Sequence, residues 1–100
     1  MLTNGMRPVH PGEILREDYL VPMNMTPSAL ARALGVSAPT VNDVVLERRG
    51  ISADMALRLA AAFDTTPNFW MGLQATYELR VAETSKGELI RQQVKPLHVA

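Results

Sequence analysis

Residues 25–50 read MTPSALARALGVSAPTVNDVVLERRG, and the fold turns on how this stretch is parsed. Leu30, Ala31 and Leu34 fall at i, i+1 and i+4 and share one face of a short helix. Gly35 stands where that helix needs a left-handed residue to stop. Val36 offers an apolar anchor inside the turn, and the Ser37 hydroxyl is placed to cap a second helix. There Val41, Val44 and Val45 repeat at i, i+3 and i+4 and face back toward the first helix. Thr40, Asn42 and Asp43 are left on faces at least partly in water. Ala31 lies where the two helices cross, and a larger side chain there pushes them apart. The spacing predicts a helix-turn-helix whose second helix offers its N-terminal turn to a major groove. The plainer alternative is a helical hairpin ended by a glycine cap.

Outward from this stretch, the same punctuation recurs. His10-Pro11-Gly12-Glu13 opens a helix, with proline at its first position and Glu13 able to reach back to the free amides. Ile14, Leu15 and Tyr19 form its buried side, and Pro22 ends it near Val21. A metal role for His10 and Glu13 is disfavoured, because the only other histidine is His98 and zinc sites want about four ligands. Thr26 with Pro27 caps the second helix, Ser52 caps a fourth, and Thr66 with Pro67 starts a fifth that runs to about Glu83. Met55, Ala56, Leu59, Ala60 and Phe63 give the fourth a core-facing stripe. The expected fold is all-α with five helices. Residues 1–9 read as an irregular arm in which Met6 is a second candidate start, 10–83 as the helical domain, and 84–100 as a tail.

Two apolar stripes run along the fifth helix. Phe69, Trp70, Leu73, Tyr77 and Val81 have core spacing, while Met71, Ala75, Leu79 and Ala82 lie nearly opposite. One small domain covers only one such face, so the second stripe, with Gly72 beside it, is a candidate homodimer contact. The alternatives are burial of both stripes in one chain, or cover by residues 84–100. In the tail, TSKGELIRQQVKPLHVA, Gly87 breaks the helix, and Leu97 and Val99 alternate weakly as in a strand. A short strand across a dimer, a partner-binding arm and disorder all fit it.

One hundred residues suffice for one core, and 47% hydrophobic residues with few aromatics lean toward a helical bundle. There is no cysteine, which argues against disulfides and thiolate metal sites and favours a reducing cytoplasm. Neither a secretory signal nor a run of the roughly 20 apolar residues needed to span a membrane is evident. No cofactor is expected. Without a glycine-rich phosphate loop, a serine with a histidine base, or acids paired by spacing, catalysis is not expected either.

Ten basic and ten acidic residues cancel, whereas nucleic-acid binders usually carry a basic excess. Only the docking face must be positive, however. Between residues 25 and 50, Arg32, Arg48 and Arg49 oppose Asp43 and Glu47, a local excess of one charge. A single copy is therefore expected to bind modestly, and a dimer presents the face twice. On the reading helix, Ser37 and Thr40 can contact phosphates and base edges, and the Thr40 methyl can meet a thymine. Ala38 and Pro39 offer apolar contact only. Asn42 suits adenine if it faces the groove and is otherwise a polar surface residue. Asp43 is repelled by phosphate, so it either accepts from a cytosine amino group or pairs with a nearby arginine. Arg48 and Arg49 follow the helix, where phosphate contacts set register without reading sequence. Otherwise Arg48 and Glu47 are a solvated loop.

HPGEIL at 10–15, LARALGVSAPTV at 30–41 and FWMGLQATYELR at 69–80 together resemble the HigA family of antitoxins, which are VapI-like helix-turn-helix proteins of the Cro/C1 repressor type. The resemblance covers about residues 7–83. It implies a compact five-helix domain, a homodimer that represses its own operon by binding operator DNA, and a HigB-type ribonuclease toxin that cleaves mRNA on ribosomes as partner. By motif, Ser37 and Thr40 match positions that contact operator DNA in relatives. Asp43 falls where relatives often carry a basic residue, a departure that implies lower affinity or an altered operator. Some relatives stand alone as regulators, and a member that has kept the fold but lost DNA binding is the other alternative.

Overall fold

The computed structural model describes residues 7–99; the first six residues of the expected arm lie outside them. The chain forms α1 (Pro11–Ile14), which runs on into a π-helical segment, Leu15–Leu20. Then come α2 (Pro27–Leu34), α3 (Ala38–Val45), α4 (Ala53–Phe63) and α5 (Pro67–Ala82). A wide π turn, Glu83–Gly87, carries α5 into a last helical segment, α6 (Glu88–Gln93).

The polar caps act as the spacing predicts at three helix starts. Thr26 Oγ1 accepts from Ala29 N–H at 3.1 Å, Ser52 Oγ from Met55 N–H at 3.1 Å, and Thr66 Oγ1 from Phe69 N–H at 3.0 Å. At α1 the cap is His10, whose Nδ1 accepts from Gly12 N–H at 2.9 Å. Glu13 does not reach back to the free amides. Its carboxylate is held instead by a two-pronged ion pair with Arg7, both bonds 2.8 Å.

Leu15, Leu20, Leu30, Ala31, Leu34, Val41, Val44, Val45, Ile51, Met55, Ala56, Leu59 and Ala60 close into one core around Trp70, which is wholly buried. The Trp70 indole N–H donates to Thr65 Oγ1 at 2.8 Å, so this large side chain enters the core without an orphaned donor. Tyr19, Phe63 and Phe69 surround its ring at centroid distances of 5.2, 6.3 and 5.0 Å. At Gly12 the first helix touches the end of α3: a Cβ there would sit 1.8 Å from the Val44 carbonyl oxygen.

Two expectations about the end of the chain need correction. Phe69 and Val81 are exposed rather than core-facing, and among the residues of α5 only Trp70 is fully buried. The helix lies against the domain as far as Tyr77, which meets the buried His10, and its last turn projects with the segment that follows; the molecule's extents are 53 × 30 × 22 Å. Gly87 does not end the helix either. It sits within the π turn, which absorbs it, and helical backbone continues to Gln93. No strand forms among the described residues, and 94–99 are irregular. Met71, Leu79 and Ala75 on the second stripe are exposed, Leu79 by 70%, and Ala82 is half-buried. A Cβ on Gly72 would meet nothing within 4 Å.

Candidate nucleic-acid interface

The turn between α2 and α3 is built by backbone bonds. Gly35 adopts φ +73°, its N–H donates to Arg32 O at 3.3 Å, and Val36 N–H donates to Ala31 O at 3.0 Å. This paired closure satisfies carbonyls at the end of α2, with Val36 packed against the core beside it. Arg58 of α4 adds a bond that the spacing does not reveal: its guanidinium donates to Leu34 O at 2.8 Å while its Nε pairs with Asp54 at 2.9 Å. Ala31 is 2% exposed at the crossing, and Val41, Val44 and Val45 are all buried beneath α3.

That packing turns the other side of α3 outward. Ser37 and Pro39 are exposed, and Ala38, Thr40, Asn42 and Asp43 are half-exposed. Ser37 occupies the N-cap position but makes no capping bond. Its hydroxyl instead lies 2.8 Å from the Thr40 hydroxyl. Ser37 O accepts from Thr40 N–H at 3.1 Å, so the first turn is closed by the main chain, and the two hydroxyls form one outward-facing pair.

Behind α3 the chain folds round Asp43. The Asp43 carbonyl accepts from Arg48 N–H at 2.8 Å and Arg49 N–H at 3.1 Å, and Glu47 takes φ +64° to allow it. The Asp43 carboxylate lies 3.7 Å from the Arg49 guanidinium. Of the alternatives open for Asp43, the arginine pair is therefore the one formed within the chain. Arg48 is exposed and, among the described residues, has no carboxylate partner.

Two side chains from elsewhere hold this loop, and sequence reasoning missed both. Arg16, in the first helix, donates to Val45 O at the end of α3 and pairs with Glu47 at 3.4 Å. Gln74 of α5 accepts from Ile51 N–H at 2.7 Å. Neither carries a local signal, because each acts across more than twenty residues of chain, on a backbone group.

His10 is buried against the same corner, edge-on to Tyr77 at 4.8 Å. Burial, with a smaller contribution from Arg16, holds its imidazole below the usual value, and Glu47 opposes them. Its Nδ1 is already taken by the cap, and no group of three or more metal-binding side chains occurs among the described residues.

The Helix-turn-helix family profile matches residues 15–70. Virulence-associated protein I of Dichelobacter nodosus is 49% identical over 83 residues, which are 83% of this chain and 77% of that protein. Antitoxin HigA-1 of Vibrio cholerae is 38% identical, over 94% of this chain and 88% of the relative. Among solved structures, the Pseudomonas aeruginosa antitoxin HigA with higBA promoter superposes with a TM-score of 0.89 at 56% identity, covering 92% of this chain and all of that one. With the turn, the braced second helix and the motifs at 10–15 and 69–80 all in place, the chain belongs to the HigA family of helix-turn-helix antitoxins.

Proposed function

We propose that this protein is a dimeric transcriptional repressor that reads operator DNA with the first turns of α3 and serves as the antitoxin of a HigBA-type module. The observation that carries the reading is the outward hydroxyl pair of Ser37 and Thr40, on a helix held from behind by buried valines. Its Pseudomonas relative was solved with higBA promoter, which supports DNA as the ligand of this face. Ser37, Ala38, Pro39, Thr40 and Asn42 face bases or sugar, and Arg48 holds a phosphate. Arg49 and Asp43 contribute as a pair, with little net charge between them.

Met71, Ala75, Leu79 and Ala82 form the contact between two protomers. An apolar face left open along a projecting helix supports this, and paired half-sites favour two-fold symmetry. Residues 10–83 are the folded working unit, 84–100 an extension of it, and the protein acts in the cytoplasm. The partner is a HigB-type toxin that cleaves mRNA, neutralised by complex formation.

A mobility-shift assay with the DNA upstream of the gene, at fixed salt, tests the repressor reading. A specific complex at submicromolar protein is expected; no complex at micromolar protein refutes it. The second reading, an interaction module that has kept the fold and lost DNA binding, draws on the Asp43–Arg49 pair and the zero net charge. Co-purification with a small basic protein but no retention on any duplex selects it.

A further inference from the structure

Resting on the DNA-binding reading, we infer that Gln74 is a positioning residue for the phosphate contacts. It ties the Arg48–Arg49 loop to α5, so the helix proposed to join the protomers also sets where the cations stand.

The loop between α3 and α4 has little slack. At its start Arg16 holds the Val45 carbonyl and the Glu47 carboxylate, and Glu47 itself is in the left-handed region. At its end Gln74 Oε1 accepts from Ile51 N–H at 2.7 Å, beneath an Ile51 side chain that is 4% exposed. Among the described residues this is the one side-chain hydrogen bond between that loop and α5. Gln74 Nε2 donates to Glu78 at 2.7 Å. That second bond fixes which way the carboxamide points, because a flipped amide would set a donor against the Ile51 N–H. Gly50 lies so close that a Cβ there would stand 2.6–2.8 Å from the carboxamide. On the same helix, Met71 and Ala75 flank Gln74 in sequence and are exposed. Moving α5 therefore moves Gly50 and Ile51, and with them Arg48 and Arg49.

The test is fluorescence anisotropy with the full chain, using the upstream operator and a shuffled duplex over a salt series. In Gln74→Leu both duplexes are expected to lose about tenfold in affinity near 0.1 M salt, with the ratio between them unchanged and the salt slope smaller by about one. Gly50→Ala reproduces the loss by pushing the carboxamide away while leaving Gln74 in place. The double variant Gln74→Glu with Glu78→Gln keeps an oxygen for Ile51 and reverses the second bond, and it restores the slope. A general loss of stability would not change the slope at temperatures well below unfolding, nor would it be rescued by that exchange. Should Gln74→Leu fold poorly, Gly50→Ala and the double variant carry the test. Wild-type binding with an unchanged slope in both single variants overturns this inference alone, whereas no specific binding by the wild type overturns the DNA-binding reading and this inference with it.

Discussion

The hydroxyls of Ser37 and Thr40 stand 2.8 Å apart across the first turn of α3, each the other's hydrogen-bond partner. The pair leaves one proton free to donate outward and several lone pairs free to accept, so its polarity is adjustable to the base or phosphate it meets. Removing one member does not orphan a buried group, since both remain in contact with water. Thr40→Ala is accordingly expected to leave the thermal midpoint nearly unchanged. It should relax discrimination at one base step by about 1–3 kcal/mol, measured by competition between operator variants.

Arg48 and Arg49 are neighbours with different surroundings, and they separate in a salt titration. Arg48→Ala is expected to weaken all duplexes alike and to reduce the salt slope by about one. Arg49→Ala should do less, because the neighbouring Asp43 carboxylate offsets part of that guanidinium's charge. Asp43→Asn then gives the reverse sign: it releases Arg49, raises affinity for every duplex and steepens the slope, by up to about one ion. Equal slopes for wild type and Asp43→Asn would contradict the pairing.

His10 links stability to pH. Its folded pKa is depressed by burial, so the unfolded chain takes up a proton first as the pH falls below about 6.5. The stability that neutral His10 contributes is therefore complete above that value and is lost as the pH falls through the lower, folded value. His10→Asn preserves an acceptor for Gly12 N–H but does not titrate. Urea midpoints measured between pH 7.5 and 5 should fall in the wild type and fall less in this variant. Parallel curves would rule His10 out as the cause.

Trp70 is the part of α5 on which the domain depends. Trp70→Ala opens a cavity at the meeting point of Tyr19, Phe63 and Phe69, and a loss of about 3–5 kcal/mol in chemical denaturation is expected. Much of a small domain's stability is at stake in that one side chain.

Leu79 provides the opposite case, since it is exposed and packs little within its own protomer. Leu79→Glu should leave the helical circular-dichroism signal and the thermal midpoint of the monomer intact while weakening self-association by more than about tenfold in sedimentation equilibrium. An unchanged dimer constant would move the protomer contact elsewhere.

The sequence is most legible where the deciding interactions are local. Gly35, the valines of α3 and the caps at Thr26, Ser52 and Thr66 each act within a turn or two of themselves, and periodicity is a direct report on such contacts. The candidate reading residues follow from them, because a buried valine face determines which side of α3 is left over. Ser37 shows the limit of that logic: its position is a cap position, yet its hydroxyl finds Thr40 instead of a main-chain amide. Arg16, Arg58 and Gln74 were not legible at all, since each bonds a backbone group of another helix or loop, and backbone groups look alike in any sequence. Phe69 and Val81 have core spacing and are nonetheless exposed, because apolar spacing says that a face is available for burial, not that enough neighbours surround it to complete the burial.

The π turn at Glu83–Gly87 has a consequence for how far the open stripe extends. Such a turn holds one residue more than an α turn, which alters the phase of everything that follows it. Gly87 and Ile90 consequently line the same hollow as Leu79 and Ala82, so the apolar band passes from α5 into α6 without a step. An uninterrupted α-helix through the same residues would turn Gly87 about 80° away from Leu79 and bring Lys86 into line in its place. Composition and helix content would scarcely change, yet the band would carry an ammonium group at its middle. One surplus residue thus works as a gear offset, seating a glycine where the plain helix would seat a lysine.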